Sequence, residues 1–157
     1  MRIVLGADHR GYELKNTLAA YLRERGHDVI DAGTNSDEPV DYPDLALAVG
    51  EAIQNGRAER GILVCGSGVG ACIAANKLVG VRAAITHDVY SAHQGVEHDD
   101  MNVICLGSKI VAEDAAREIV QAFVEARFTP EERYVRRLDK VRAMERQGRA
   151  EHEQSPA

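Results

Sequence analysis

The sequence contains no tryptophan, and aromatic residues make up only 4% of its 157 residues. Because 45% of the residues are nevertheless hydrophobic, the sequence predicts a core built from aliphatic side chains. It also lacks any apolar run close to the roughly 20 residues that a membrane-spanning helix requires. The apolar stretch at residues 1–7 is too short for a signal peptide, whose apolar region alone takes about 7–15 residues. We therefore expect a cytoplasmic protein that does not enter a membrane.

Cysteine and positive charge are also scarce. The chain has only three cysteines, Cys65, Cys72 and Cys105, and their odd number and spacing favour neither a disulfide framework nor a zinc site. The formal net charge of −6 argues against nucleic acid as a partner, because neutralising a phosphate backbone requires a basic surface. A local basic pocket for one small phosphate remains compatible with this charge.

Strand-like and helix-like segments alternate along the chain. Short apolar runs predict five strands, at Arg2–Ala7, Asp28–Ala32, Gly61–Cys65, Val81–Thr86 and Asn102–Leu106. Apolar residues at helical spacing predict helices at 12–25, Leu45–Ile53, Val69–Leu78, Val89–Gly95 and Ala112–Arg127. This alternation predicts an α/β fold with a doubly wound, five-stranded parallel sheet between two layers of helices. We expect one domain over residues 1–148 and a disordered tail over 149–157.

The C-terminal segment differs from the rest of the chain because it is basic. Thr129, Pro130 and Glu132 form the pattern that begins a helix, with Thr129 as the N-cap. Apolar residues recur along the predicted helix at helical spacing, at Tyr134, Leu138 and Val141. A basic helix with an apolar stripe on an acidic domain is expected to dock on another surface, such as a second subunit.

Two polar loops are expected to meet at one edge of the sheet. In a sheet of order 2-1-3-4-5, ligands bind between strands 1 and 3, beyond their carboxyl ends. Residues 7–11 follow strand 1, and the glycine-rich residues 65–70 follow strand 3. Glycines in such a loop let backbone N–H groups face a bound anion. A tight strand-to-helix turn without any ligand is the alternative explanation of the glycines.

Cys65 directly precedes the glycine loop and is the main candidate for chemistry. A thiol near a helix N-terminus can act as a nucleophile or as a general base, although a buried inert cysteine is also common. A cysteine phosphatase of the C-x5-R type would need arginine at position 71, which is Ala71. Proton abstraction is therefore favoured. His98, in an acidic stretch, lacks a second metal ligand at the right spacing and fits acid–base chemistry better.

Several spaced motifs together resemble the type B ribose-5-phosphate isomerases and the related galactose-6-phosphate isomerase subunits. The resemblance extends over about Arg2 to Gly148. It is carried by the runs at 6–11, 41–43, 65–70, 73–77, 97–98, 102–103 and 106–108. It implies a flavodoxin-like αβα sandwich and a homodimer, or a tetramer of such dimers, with active sites across the subunit interface. It implies a small phosphorylated sugar as the substrate, with no metal ion and no organic cofactor.

The resemblance also assigns roles to individual residues. Cys65 would move a proton between C1 and C2 of the sugar, and His98 would help to open its ring. Most of the remaining implied residues would bind the substrate. The loop N–H groups from Ser67 to Gly70 would hold the developing oxyanion, with Ser67 counted as catalytic and Gly66, Gly68, Val69 and Gly70 as substrate-binding. Asp8, Asp41 and Tyr42 would contact sugar hydroxyls, and His9, Arg133 and Arg137 would bind the phosphate.

Two positions depart from the pattern that the resemblance suggests. Asp99 stands where relatives commonly have asparagine, and an ionised aspartate can only accept hydrogen bonds. Lys109 stands where many relatives have arginine. It keeps the positive charge but lacks the pair of N–H donors with which a guanidinium makes a bidentate contact. These changes leave the reaction class intact and keep several substrates open: ribose 5-phosphate, a hexose phosphate, or a tetrose phosphate such as erythrulose 4-phosphate. The alternative outside enzymes is a non-catalytic sugar-phosphate or nucleotide binding module.

Overall fold

The structure, a computed structural model, describes residues 1–153. Its strands are β1 (Arg2–Ala7), β2 (Asp28–Asp31), β3 (Arg60–Cys65), β4 (Ala83–Ile85) and β5 (Val103–Gly107). Its helices are α1 (Tyr12–Glu24), α2 (Tyr42–Gln54), α3 (Val69–Ala75), α4 (Val89–Asp99), α5 (Glu113–Glu125) and α6 (Glu132–Glu153). Every predicted strand and helix is present. The predicted α/β fold with a parallel five-stranded sheet is confirmed.

The strand order is β2-β1-β3-β5-β4, so the predicted order of the last two strands is wrong. All four pairings in the sheet are parallel. β5 is buried along its whole length and lies between β3 and β4, whereas the three-residue β4 is half-buried and forms the edge. A strand that is buried on both faces needs a continuous apolar run, and edge strands are commonly short. The observed order agrees with this rule, since it gives the central position to β5 and the edge to β4.

The reversed order also decides which face of the sheet α4 covers. α2 connects β2 to β3 and α3 connects β3 to β4, both in the direction of the β4 edge, so right-handed crossovers place them on one face. α1 and α4 lead in the other direction and lie on the opposite face, together with α5. Aliphatic side chains fill most of both layers, as the lack of aromatic residues predicted, and Phe123 is fully buried in the α1–α4–α5 layer.

α6 begins at Glu132, two residues later than the predicted N-cap Thr129 would place it. Thr129 binds Glu97 of α4 instead, through N–H to carbonyl (2.9 Å) and hydroxyl to carboxylate (3.4 Å) contacts. Tyr134 and Leu138 of the predicted apolar stripe are buried within the chain, whereas Val141 is exposed. Tyr134 and Leu138 therefore pack α6 against its own chain. Docking on a partner stays a prediction.

α6 also extends beyond the boundary expected for the domain. The tail expected over 149–157 begins inside this helix, which continues to Glu153. Residues 154–157 lie outside the described residues. Within residues 1–153, no helix has the length and apolar character to cross a bilayer.

Candidate active site

A pocket of about 500 Å³ lies beyond the carboxyl ends of β1, β3 and β5. Its wall is made by Asp8, His9, Arg10, Val40, Asp41, Tyr42, Cys65, Gly66, Ser67, Gly70, Lys109 and Ile110. We call it the Cys65 pocket. It brings together nine of the residues predicted from the sequence, and Gly68 and Val69 continue the same loop. The pocket forms here because adjacent parallel strands end at the same edge, where the direction of the chain crossings reverses.

Cys65 is the last residue of β3 and is buried. The backbone N–H of Gly68 donates a hydrogen bond to its Sγ, at 3.1 Å. Gly68 has a φ of +83°, a left-handed conformation that a side chain would strain. The glycine therefore allows the loop to turn back over the sulfur and fix its position.

The rest of the glycine loop passes close to neighbouring groups. The ring of Tyr42 covers Gly70, where a Cβ atom would lie 2.7 Å from the ring. The Ser67 hydroxyl accepts a hydrogen bond from the Val69 N–H at 3.3 Å. The first N–H groups of a helix have no partner within that helix, so the start of α3 adds donors to this side of the pocket.

Asp8 and His9 form the wall that follows β1. One oxygen of Asp8 accepts hydrogen bonds from the N–H groups of Arg10 (2.9 Å) and Gly11 (3.1 Å), which shapes the loop. His9 accepts from the Val40 N–H through Nδ1, at 3.3 Å. A neutral imidazole that accepts at Nδ1 carries its proton on Nε2. His9 is therefore held as a donor at Nε2.

Lys109 reaches the pocket because β5 pairs directly with β3. The N–H of Ser108 binds the Cys65 carbonyl (2.8 Å), and the N–H of Lys109 binds the Gly66 carbonyl (3.1 Å). Under the expected strand order, β4 would have separated these segments. The observed order thus brings Lys109 beside the glycine loop.

His98, Asp99, Arg133 and Arg137 lie outside the Cys65 pocket. His98 is in the last turn of α4, not in the loop that the sequence predicted. Its ring stacks on Tyr134 with centroids 4.1 Å apart, and Gln94 Nε2 donates to its Nδ1 at 2.9 Å. Asp99 borders a different cleft, with Arg82 and Arg142. We call His98, Asp99, Arg133 and Arg137 the His98 cluster.

The His98 cluster and the Cys65 pocket occupy opposite ends of the sheet. α4 starts beside the carboxyl end of β4 and returns to the amino end of β5, with His98 near its end. An 11-residue α-helix is roughly 16 Å long, so one chain holds His98 far from Cys65. Arg133 is meanwhile engaged by Glu131, at 3.0 Å. The residues of the predicted site therefore form two separate groups within one chain.

Cys72 is the cysteine with the clearest electrostatic perturbation. A hydrogen bond from the Cys105 thiol outweighs burial and lowers the pKa of Cys72 to about 7. The same contact, together with burial, raises the pKa of Cys105. Cys72 does not line the Cys65 pocket; its Sγ lies 3.6 Å from the Ala83 carbonyl. An easily ionised thiol is thus present next to the site but outside it.

Two residues at this end of the sheet were not assigned a role from the sequence. Arg10 lies on the pocket rim, and its position after His9 was the available signal. His87 Nε2 accepts from the Gly107 N–H at 2.9 Å, which anchors the end of β5. No sequence pattern marks His87, because the contact joins the segment after β4 to the end of β5, 20 residues along the chain. Within residues 1–153 no group of three or more potential ligands could hold a metal ion.

Comparison of the chain with known protein families identifies the family to which it belongs. A family model described as Ribose/Galactose Isomerase matches residues 3–141. The chain belongs to this family. The resemblance drawn from the sequence motifs is therefore confirmed, as is the predicted class of enzyme, a sugar-phosphate isomerase.

Individual relatives cover nearly the whole chain. Ribose-5-phosphate isomerase B of Escherichia coli is 42% identical, over 92% of this chain and 96% of its own length. D-erythrulose-4-phosphate isomerase of Pectobacterium atrosepticum is 41% identical, over 82% and 85%. The structure of Clostridium thermocellum ribose-5-phosphate isomerase B superposes with a TM-score of 0.91 at 44% identity, covering 94% of this chain and 99% of that one.

Proposed function

We propose that this protein interconverts an aldose phosphate and a ketose phosphate of the ribose 5-phosphate type, with Cys65 as the base. The observation that carries the proposal is the Cys65 pocket: a buried thiol held under a glycine loop and faced by hydroxyl-binding and cationic side chains. Isomerisation needs a base, donors for an oxyanion and an anchor for the phosphate. The pocket offers candidates for all three.

The reaction would proceed through an enediolate. Cys65, as the thiolate, removes the proton from C2 of the open-chain aldose and returns it to C1 of the ketose. The N–H groups of the glycine loop stabilise the negative charge on oxygen, an effect worth roughly 3–4 kcal/mol in enzymes. The Ser67 hydroxyl, next to these donors, moves a proton between O1 and O2. Asp8, Asp41 and Tyr42 hold the hydroxyl groups, so that the reacting carbon stays beside the sulfur.

A second copy of the chain would complete the site. The Cys65 pocket and the His98 cluster lie at opposite ends of one sheet, so a two-fold axis can place the cluster of one copy over the pocket of the other. Exposed apolar side chains lie beside the pocket, at Val69, Ile73 and Ile110, and at the start of α4, where Val89 and Tyr90 line a groove that runs along the helix to His98. Such a homodimer would supply His98 for ring opening and Arg133 and Arg137 for phosphate binding.

Subunit mixing tests this arrangement directly. Cys65→Ser and His98→Asn chains are each expected to be nearly inactive on ribose 5-phosphate. After mixing and reassembly, a heterodimer contains one site with both native residues, so about one quarter of wild-type activity should return. If the mixture stays as inactive as its parents although heterodimers form, the site does not span two subunits.

A tetrose phosphate is the second candidate substrate. The Pectobacterium relative acts, by its name, on erythrulose 4-phosphate, and Asp99 offers only acceptors where an amide would also donate. A four-carbon ketose phosphorylated on its terminal oxygen cannot close a furanose ring through that oxygen, so it needs no ring opening. His98→Asn should therefore impair the pentose reaction and spare the tetrose reaction. A hundredfold preference of the wild type for ribose 5-phosphate, about 2.7 kcal/mol, would reject the tetrose.

A further inference from the structure

Gln94 and His98 lie one helical turn apart on the same face of α4. The side-chain amide of Gln94 donates to Nδ1 of His98 at 2.9 Å, in a partly buried contact. The ring of His98 also stacks on Tyr134, with centroids 4.1 Å apart and an angle of 15° between the planes. Stacking fixes the plane of the imidazole, but it leaves either edge of the ring free to face outward. The hydrogen bond to Nδ1 therefore selects the edge.

The same hydrogen bond decides which ring nitrogen carries the proton. A neutral imidazole has one N–H donor and one acceptor, so an Nδ1 that accepts from Gln94 leaves the proton on Nε2. The carboxylate of Glu97 lies 3.9 Å from Nε2, beyond hydrogen-bond distance. Among residues 1–153, Nε2 of His98 has no hydrogen-bond partner, and 27% of the side chain is exposed. Its N–H is therefore available to a ligand.

The two tautomers of His98 offer opposite chemistry to a sugar ring. Opening a furanose breaks the bond between C1 and the ring oxygen. The ring oxygen gains a proton and the C1 hydroxyl loses one, so no co-reactant is needed. Negative charge gathers on the ring oxygen as the bond breaks, and a fixed N–H donor stabilises it. An Nε2 without its proton would only accept hydrogen bonds and would repel that oxygen.

We propose that Gln94 is a positioning residue for ring opening, which holds His98 with the proton on Nε2 so that His98 meets the sugar as a donor. This inference rests on the proposed isomerase function and on the second copy of the chain that brings His98 to the Cys65 pocket. Gln94 itself touches no substrate and acts through His98. A substrate that has no ring to open should therefore be insensitive to Gln94.

The first test reads the tautomer without turnover. In protein labelled with nitrogen-15 histidine, at a pH of about 9 where an imidazole is neutral, the nitrogen chemical shifts distinguish the protonated ring nitrogen from the acceptor. The signals of His98 are those that disappear in His98→Asn. The wild type should carry the proton on Nε2. Gln94→Glu keeps the size of the side chain but only accepts, so it should move the proton to Nδ1, and Gln94→Leu should give a mixture.

The second test compares the two substrates. For ribose 5-phosphate, Gln94→Glu should lower kcat/KM about a hundredfold, a usual effect of losing one donor to a developing oxyanion, and Gln94→Leu should lower it less. For erythrulose 4-phosphate, both variants should stay within about threefold of the wild type. The matched control is Gln94→Glu in a His98→Asn background. There it should cause no further loss on ribose 5-phosphate, because Gln94 has no ring to position.

The possible failures are distinguishable. A wild type with the proton on Nδ1, or a tautomer that Gln94→Glu does not change, would overturn the role of Gln94. A further loss in the His98→Asn background, or equal losses on both sugars, would overturn it as well, because Gln94 would then act on something other than His98. A wild type that isomerises neither sugar would overturn the proposed function, whatever the tautomer.

Discussion

The Cys65 pocket and the His98 cluster contrast in how their side chains are held. In the pocket, backbone groups fix the functional atoms: Gly68 donates to Cys65, and Val40 donates to His9. In the cluster, His98 rests on Tyr134 and Arg133 pairs with Glu131. The pocket is concave because strand ends meet there, whereas the cluster lies on the outer surface of two helices.

This difference indicates what each group can do alone. A pocket whose donors are fixed by the backbone can bind and polarise a substrate without rearrangement, which is the basis of electrostatic catalysis. Charged groups on an exposed helix surface gain little from one another, and they become effective when a second surface excludes water from them. We therefore expect the chemistry to depend on the pocket and the substrate range to depend on what covers it.

The largest expected effect is the loss of kcat when Cys65, the proposed proton-transfer base, is replaced. Cys65→Ser should lower kcat by about 10³, since a positioned base contributes roughly 10²–10⁴ and a hydroxyl is a far weaker base than a thiolate. Cys72→Ser is the matched control, because it changes a neighbouring thiol outside the pocket. Steady-state kinetics with circular dichroism would check this. A Cys65→Ser enzyme with near-normal kcat would remove the assignment.

A second prediction concerns the contacts of Lys15, which lie beneath the pocket loops. Lys15 is fully buried, and its ammonium group binds Asp31 (2.6 Å) and Asn35 (2.8 Å) below the segment that leads to Asp41. Lys15→Met should lower the free energy of unfolding by about 2 kcal/mol, because it removes charge-assisted hydrogen bonds from a buried ammonium group to the partly exposed Asp31 and Asn35. Urea denaturation would measure the loss, with the exposed Lys140→Met as the control. A loss no larger than that of the control would show that the Lys15 contacts contribute little to the free energy of unfolding.

The stability that the Lys15–Asp31 contact contributes should depend on pH, and the sign follows from the pKa of Asp31. Burial alone would raise the pKa of Asp31, but hydrogen bonds from Lys15 and from the Gly33 N–H outweigh it, so the pKa is lowered. A carboxyl whose pKa is lowered by folding adds stability above its unfolded value, about 3.9, and loses it as the pH falls further. The difference between wild type and Lys15→Met should therefore shrink below about pH 4.

A smaller effect is expected at the His98 cluster. Arg137→Ala should raise KM for ribose 5-phosphate about tenfold, or 1.4 kcal/mol, and leave kcat nearly unchanged, because it removes a phosphate contact and no reacting group. An unphosphorylated sugar analogue is the control substrate and should be affected much less. Equal losses on both compounds would indicate a structural role for α6.

The smallest expected effect concerns Cys72 and leaves activity unchanged. Its alkylation rate should rise with pH around a midpoint near 7, because the thiolate is the reactive form. Cys105→Ala removes the thiol that donates to Cys72, so the midpoint should move upward, towards the ordinary value of about 8.5. Cys65→Ser should leave it in place. A midpoint that Cys105→Ala does not move would show that another group sets the pKa.

The sequence predicted some features of the site well and others poorly, for physical reasons. Loops that directly follow β1 and β3 were placed correctly, because parallel strands bring consecutive carboxyl ends to one edge. The contacts of Arg10 with Gly66 and of His87 with Gly107 were missed, because each joins residues far apart in the chain. The start of α6 was misplaced, because Thr129 binds Glu97 of another helix in preference to its own.

The sequence by itself determined the fold class and the family, and it marked most of the residues that line the Cys65 pocket. These depend on the local alternation of apolar segments and on short motifs at strand ends, whose geometry follows from neighbouring residues. Only the tertiary structure decided that β5 lies beside β3, that Lys109 therefore reaches the glycine loop, and that His98 lies at the other end of the sheet. Right-handed crossovers permit both orders of β4 and β5. The choice depends on which strand gains more from burial on two faces, and that comparison involves the whole sheet.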